Sequence, residues 1–376
     1  MTTLAGREIV LGVTGGIAAY KACEIIRELR KEGANVVVVL TEAGSQFITP
    51  LTLQTLSKNP VHTDLFNLIS ESEIGHISLA QRATLLLIAP ATANTIGKIR
   101  NGIADDLLST IAMATTAPIL LAPAMNSQMY ASAAVRENVE VLAERGVTFV
   151  EPDEGELACG TTGPGRLAET GKILEMARIL LADKILEGKK VVVSAGPTAE
   201  DIDPVRYLTN RASGKMGFAM AAVARRFGAE VTLVTGPTRL EDPPFLKVEH
   251  VRSAKEMMNA VAAAAENADA VVMAAAVADF RPASASSRKI RKGEIDGKID
   301  LVRTDDILAT LGASKRGRVL VGFAAETNDI EGNAREKMRR KNLDAIVAND
   351  VSRADIGFDS DSNEVRVYFS DGTSLD

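Results

Sequence analysis

Short runs of contiguous apolar residues alternate with helical spacing along the whole chain. In the first half the runs are Ile9–Val13, Val36–Leu40, Leu85–Ala89, Ile119–Ala122 and Val147–Val150. Between the first two, Ile17–Lys31 puts Ile25, Ile26 and Leu29 on one helical face and stops at Gly33; Met129–Arg145 and Ile173–Leu186 are later helices. Runs that are apolar throughout, rather than alternating, and that are separated by helices predict a parallel sheet covered on both faces. Glu151–Gly171 is rich in Gly, Glu and Thr and breaks the pattern. A segment of that length with little periodicity reads as a functional flap.

The pattern restarts at Gly188-Lys189-Lys190. Strands are expected at Val191–Ser194, Val231–Val234, Ala270–Ala276, Val319–Phe323 and Ala345–Ala348, with helices at Gly217–Phe227 and Ala254–Asn267. Glu364–Phe369 followed by Asp371-Gly372 reads as a hairpin edge. The expected fold class is therefore α/β with two parallel-sheet domains, residues 1–187 and 188–376. The length of 376 residues agrees with about two domains at roughly 100–200 residues each.

Composition narrows the partners. Hydrophobic residues are 46% and charged residues 24%, which excludes a disordered chain. The net charge of −6 gives no overall basic excess for nucleic acid. With 4% aromatic residues and no Trp, base-stacking platforms are poorly supplied. Cys23 and Cys159 form no metal-ligand spacing, and three histidines (His62, His76, His250) make a His-rich zinc site unexpected. The opening Met-Thr-Thr-Leu-Ala-Gly-Arg-Glu has no signal pattern, and no apolar run approaches the roughly 20 residues of a membrane span. A cytoplasmic protein with no membrane partner is expected.

Open parallel sheets bind ligands at the carboxyl ends of their strands. The first such turn is Gly12-Val13-Thr14-Gly15-Gly16-Ile17, which lacks the dinucleotide spacing of glycines. Thr41 and Ser45 follow the second strand. Glu42 there could bind a ribose, which keeps a nicotinamide-dependent two-domain dehydrogenase as an alternative. The third strand runs into Thr92 and Asn94 and the fourth into Asn126. Each alone reads as an ordinary helix cap; three adjacent polar strand ends describe a cofactor crevice. His76 alone reads as a surface or structural residue. Cys159 lies in a glycine-rich segment, which favours a reactive thiol over a core residue.

Taken together these residues carry a resemblance. Val13-Thr14-Gly15-Gly16-Ile17-Ala18, His76, Pro123-Ala124-Met125-Asn126-Ser127-Gln128-Met129 and Ala158-Cys159-Gly160 come in the order of the flavin-dependent cysteine decarboxylases. Ser194-Ala195-Gly196-Pro197-Thr198, Asn210–Gly217, Ala276-Val277-Ala278-Asp279 and Gly322–Thr327 resemble phosphopantothenate–cysteine ligase. Nearly the whole chain thus resembles the bifunctional coenzyme A biosynthesis family, phosphopantothenoylcysteine decarboxylase fused to phosphopantothenate–cysteine ligase. Two positions depart from the family pattern: Tyr130 stands where Trp is usual, and Thr304-Asp305-Asp306-Ile307 lacks a proline.

The resemblance implies a flavodoxin-like or Rossmann-like flavoprotein domain followed by a Rossmann-like ligase domain. FMN would be held by Gly15, Gly16, Ile17, Thr41, Thr92 and Asn94. His76 would serve the oxidation of the cysteinyl Cβ–S unit, Asn126 would hold the substrate carboxylate, and Cys159 would donate the last proton. In the ligase, CTP with Mg2+ would activate 4′-phosphopantothenate as an acyl-cytidylate for attack by cysteine. Asn210 and Lys289 would be catalytic. Met273, Asp279, Lys289, Thr304, Asp305, Asp306, Ile307, Phe323, Lys337 and Lys341 would contact the nucleotide; metal ligands are left unassigned. The 4′-phosphopantothenoylcysteine made by the ligase would then be decarboxylated. The family assembles as trimers of decarboxylase units and dimers of ligase units, closing as a dodecamer. A non-catalytic flavin-binding regulator is a further alternative, and the joint presence of His76, Asn126 and Cys159 speaks against it.

Overall fold

Six strands of the first half line up in one parallel sheet. They are β1 (Glu8–Val13), β2 (Asn35–Leu40), β3 (Val61–His62), β4 (Leu85–Ala91), β5 (Ile119–Pro123) and β6 (Thr148–Phe149), in the order β3-β2-β1-β4-β5-β6. Every residue of β4 is buried, as a strand covered on both faces requires. On one face Val10, Leu86, Ile88 and Leu121 pack with Leu108 and Ile111 of the helix Leu107–Ala114. Strand order reverses between β1 and β4, and in sheets of this topology that reversal opens a crevice beyond the carboxyl ends. The computed structural model describes residues 4–65, 75–157, 160, 162–291, 298–326, 329–350 and 364–375.

Several details differ from the sequence expectation. The helix expected over Ile17–Lys31 begins as a 3-10 turn, Ile17–Lys21, before Ala22–Lys31. Met129–Arg145 is two helices, Ser127–Ala131 and Ala133–Glu144, because Ser132 is extended and caps the second by accepting from the Val135 N–H. The segment expected to be aperiodic carries an antiparallel hairpin, β7 (Asp153–Glu156) and β8 (Thr162–Arg166). Cys159 lies outside the described residues.

The second half repeats the topology. Strands β9 (Lys190–Ala195), β10 (Ala199–Asp201), β11 (Tyr207–Thr209), β12 (Glu230–Thr235), β13 (Lys247–His250), β14 (Ala270–Met273), β15 (Phe280–Pro282), β16 (Leu301–Arg303), β17 (Val319–Glu326), β18 (Ala345–Asp350), β19 (Val365–Phe369) and β20 (Ser374–Leu375) follow in sequence. The main sheet runs β13-β12-β9-β14-β17-β18-β19-β20, parallel through β18 and closed by the antiparallel β19–β20 hairpin. β10–β11 is a small separate hairpin and β15–β16 a small separate antiparallel pair. Alternation along β9 puts its valines on two covered faces: Val192 packs with Met257 and Val271 on one face, Val191 and Val193 with Phe218 and Ala221 on the other.

The chain divides into Met1–Ala182 and Asp183–Asp376. That is a few residues earlier than the expected boundary at 187/188. The last helix of the first unit is Thr170–Leu181, not Ile173–Leu186, and it ends at an extended Ala182. Leu186 belongs to the second unit: its N–H bonds Phe227 O at 2.9 Å, and its side chain packs on the Val193 face. A fragment 183–376 is therefore expected to melt roughly 2–8 °C above a fragment 188–376, from about 1–2 kcal/mol of lost leucine burial. Equal melting temperatures by circular dichroism would make residues 183–187 a passive linker.

Candidate active sites

In the first unit a cavity of about 960 Å³ opens at the carboxyl ends of β1, β2, β4 and β5. Its floor is knit by Thr14, which is buried after β1: its hydroxyl donates to Pro90 O at 2.6 Å and accepts from the Thr92 N–H at 3.2 Å. Gly15 lies so close to the turn after β2 that a Cβ there would stand 2.4 Å from Ala43 Cβ and 2.9 Å from Ala43 C. The Thr41 N–H donates to Val13 O at 3.1 Å, and the Thr41 hydroxyl accepts from the Gly44 N–H at 3.1 Å. Thr92 caps Ala93–Asn101 through the Thr95 N–H, and Asn126 Oδ1 accepts from the Gln128 N–H at 2.8 Å.

Gly15, Gly16, Ile17, Thr41, Thr92, Asn94 and Asn126 all line this cavity. Capping and lining are not exclusive: Thr92 and Asn126 do both. The Asn126 Oδ1 is engaged by the Gln128 N–H. His76 is not among the lining residues; it is half-buried on Gly75–Arg82, whose Leu79 and Ala80 face the core. Glu156, Leu157 and Arg166 bring the β7–β8 hairpin to the cavity wall, and the Met125 N–H holds it there by donating to Gly165 O at 3.0 Å. Lys98 also lines the cavity, with Nζ 2.7 Å from Asp105 and 2.8 Å from Asp106. Hydrogen bonds to Asp105 and Asp106 hold the Lys98 ammonium above its ordinary pKa. The reading of single strand ends passed over Lys98, because its partners lie beyond the end of its helix; the Asp106…Ser109 capping box was the available signal.

In the second unit a cavity of about 370 Å³ opens at the carboxyl ends of β14 and β17. Met273, Asp279, Thr304, Asp305, Asp306, Ile307, Phe323, Lys337 and Lys341 all line it. The Thr304 hydroxyl donates to Ala278 O at 2.5 Å, and its N–H to Asp279 O at 3.0 Å, so β14 and β16 lead into one wall. Asp306 caps Ile307–Ala313 by accepting from the Ala309 N–H at 3.0 Å, and Lys341 Nζ lies 2.9 Å from its other oxygen. Lys337 Nζ donates to Phe323 O at 2.7 Å. Asp305 faces Lys255 Nζ at 3.4 Å.

Asn210 and Lys289 are not among the lining residues. Asn210 Nδ2 donates to Ala276 O at 3.2 Å and Val277 O at 3.1 Å, so it braces the turn that enters the cavity after β14. Lys289 is exposed.

Burial pushes the Asp306 carboxyl up, but Lys341 and the Ala309 N–H outweigh it and hold the pKa below its ordinary value. A depressed carboxylate contributes stability that is fully present above its unfolded pKa, about 4, and lost as pH falls through the lower folded value. Asp306→Asn keeps a capping residue and removes the charge. It is expected to destabilise the protein by about 1 kcal/mol or less near neutrality, since Asp306 is 47% exposed. The difference from the parent should close as pH falls below about 4; denaturant melts showing a pH-independent difference would assign Asp306 a purely packing role.

Comparison with known proteins gives the following. A family model described as Flavoprotein matches residues 1–181, and one described as DNA/pantothenate metabolism flavoprotein C-terminal domain matches residues 186–376. The coenzyme A biosynthesis bifunctional protein of Bacillus subtilis is 48% identical over 373 residues, covering 98% of this chain and 92% of the relative. That of Escherichia coli is 48% identical over 378 residues, covering 99% and 93%. A solved C-terminal domain of such a bifunctional protein is 44% identical, with a TM-score of 0.44, covering 51% of this chain and 87% of that one. The dehydrogenase and regulator alternatives find no support among these. No helix among the described residues is long and apolar enough to cross a membrane.

Proposed function

The chain belongs to the family of bifunctional coenzyme A biosynthesis enzymes, a flavoprotein decarboxylase domain followed by a ligase domain, and from that premise we propose that it ligates cysteine to 4′-phosphopantothenate at the expense of CTP and decarboxylates the product to 4′-phosphopantetheine. The observation that carries this reading is that each family match falls on one compact unit with its own cavity at the carboxyl ends of its sheet.

The first cavity fits FMN. Its size is at the upper end of small-molecule sites. The close Gly15 turn and the start of Ala93–Asn101 present backbone N–H groups suited to a phosphate, and Ile17 and Met129 offer apolar surface for a ring. Bound there, the flavin supplies a two-electron acceptor and donor that side chains cannot provide. Asn126 presents its amide to the substrate carboxylate. Cys159 returns the final proton; a thiol with an ordinary pKa of about 8.5 is mostly protonated at neutral pH.

His76 does not line the cavity of its own chain, so its part in the oxidative step is assigned to a cavity completed by a second copy. Ile17 and Tyr20, each 61% exposed beside that cavity, give such a contact its apolar surface. Threefold contacts of this kind, combined with twofold contacts between ligase units, close as a dodecamer. Oligomers mixed from His76→Asn and Cys159→Ser chains are then expected to regain formation of the decarboxylated thiol, because some sites receive an intact pair. No recovery over either parent variant would remove the shared site.

In the ligase unit the phosphopantothenate carboxylate displaces pyrophosphate from CTP, and the cysteine amine then displaces CMP from the acyl-cytidylate. Thr304, Asp305, Asp306, Lys337 and Lys341 hold the nucleotide, with Asn210 bracing the turn behind the acyl group. Lys289 offsets triphosphate charge. Among the described residues no group of three or more His, Cys, Asp or Glu forms a metal cage. Mg2+ commonly binds through one or two carboxylates together with nucleotide phosphates, and it is assigned here to the nucleotide. The reading of the first cavity is tested by releasing the chromophore from purified protein. FMN identified by mass is expected; FAD, or no flavin after FMN titration, would overturn it.

A further inference from the structure

Lys98 stands on the helix Ala93–Asn101 and lines the first cavity, yet the proposed cycle uses neither it nor its partners. Its side chain is 19% exposed, and its ammonium lies between two carboxylates that line the same cavity, Asp105 at 2.7 Å and Asp106 at 2.8 Å. Asp106 is already engaged as the cap of Leu107–Ala114, where it accepts from the Ser109 N–H at 2.8 Å. One carboxylate would suffice to tie Lys98 to that helix. Asp105, 57% exposed, is a second, so the cavity wall carries two negative charges around one positive. Hydrogen bonds to both keep Lys98 above its ordinary pKa, and it stays an ammonium through neutral pH. Asn94, which also lines the cavity, is four residues back along the same helix and hence on the same face.

The start of that helix and the Gly15 turn are the end of the cavity suited to a phosphate. From Thr92 to Lys98 the helix rises about 9 Å. A ribityl chain spans a comparable length, so a phosphate at the helix start brings the flavin ring to the level of Lys98. In the proposed cycle a hydride passes from the cysteinyl Cβ–S unit to the flavin and later returns to the decarboxylated product. Hydride uptake by a neutral ring leaves an anion. A largely buried cation nearby lowers the energy of that anion, because its field is weakly screened, and carboxylates nearby raise it. The same electron pair must be accepted and then given back, so a potential far to either side would stall one half of the cycle. We infer that Lys98, Asp105 and Asp106 form a charge cluster that sets the reduction potential of the bound flavin. The ammonium favours the reduced form, and the carboxylates hold the ammonium in place and offset part of its field. The cluster hands no proton or electron to the substrate. The inference rests on the FMN reading of this cavity.

The test is the midpoint potential of FMN bound to the full-length protein, read by equilibration with a reference dye. Lys98→Met is expected to weaken binding of reduced relative to oxidised FMN about 10- to 100-fold, which moves the potential about 30–60 mV more negative for a two-electron couple. Lys98→Arg keeps the charge and should stay near the parent. Asp105→Asn should shift the other way, about 3- to 10-fold or about 15–30 mV more positive, the smaller effect following from its exposure. Opposite signs are the deciding readout: a cluster that merely braced the helix would not reverse the shift with the sign of the charge removed. If Lys98→Met does not retain FMN, Asp105→Asn against the parent decides the matter. An unmoved potential in either flavin-holding variant, or shifts of one sign in both, would overturn the inference. A parent protein that binds no FMN would instead overturn the cofactor reading, and this inference with it.

Discussion

Gly15→Ala yields a protein that holds its flavin more weakly, loses decarboxylase activity with it, and keeps its ligase activity. The added Cβ would stand 2.4 Å from Ala43 Cβ and 2.9 Å from the Ala43 carbonyl carbon. Backbone cannot swing aside as a flexible side chain can, so either the turn after β1 or the turn after β2 must move. Both carry cavity walls: Thr41 is tied to Val13 O, and Thr14 is tied to Pro90 and Thr92. Overpacking of this kind costs about 1–3 kcal/mol. Drawn from the ligand-competent turn, that weakens FMN binding roughly 10- to 100-fold. The ligase cavity belongs to a separate compact unit and should be untouched. The check is flavin absorbance per chain after gel filtration, with pyrophosphate release alongside. Stoichiometric flavin in Gly15→Ala would move the cofactor away from this turn.

Lys289→Gln stops acyl-cytidylate formation while leaving FMN binding and decarboxylation as they were. Negative charge builds up on the departing pyrophosphate as the phosphopantothenate carboxylate attacks, and a fixed cation is worth most where charge develops in the transition state. Arg303, Lys337 and Lys341 also line the second cavity. Lys341 is paired with Asp306, and Lys337 Nζ donates to Phe323 O. Asp279, Asp305 and Asp306 line the same space. Removing one stabilising group of this kind commonly lowers kcat on the order of 100- to 1,000-fold. Pyrophosphate release measures the ligase step, and CO2 release from supplied 4′-phosphopantothenoylcysteine measures the other. Parental pyrophosphate release would return Lys289 to solvated surface charge.

The main sheets were legible because their strands are buried on both faces. Val191–Val193 and Leu85–Ala89 are unbroken apolar runs, and glycines mark several of the turns between elements. The side hairpins were not legible. β7 reads Asp-Glu-Gly-Glu, and β10, β11, β15 and β16 are three residues each, too short for alternation to register. The break at Ser132 carries no Gly or Pro; only its capping geometry shows it.

Local chemistry went as far as polar strand ends: Thr41, Thr92 and Asn126 can be placed from pattern alone. Nine of the residues that line the second cavity were expected from the family resemblance. No spacing rule links Met273 to Lys341. Ile290 meets Asp203 and Arg206 through tertiary folding, which leaves no periodic trace.

The account is tested most directly by a single incubation of the full-length protein with 4′-phosphopantothenate, cysteine, CTP and Mg2+, followed by mass analysis of the products. It predicts pyrophosphate, CMP, CO2 and 4′-phosphopantetheine in equal amounts, with no new product when CTP is omitted and 4′-phosphopantothenoylcysteine accumulating when the flavin is stripped. Failure to form the amide from these substrates, or an amide that the flavin-loaded protein leaves with its carboxylate intact, would contradict it.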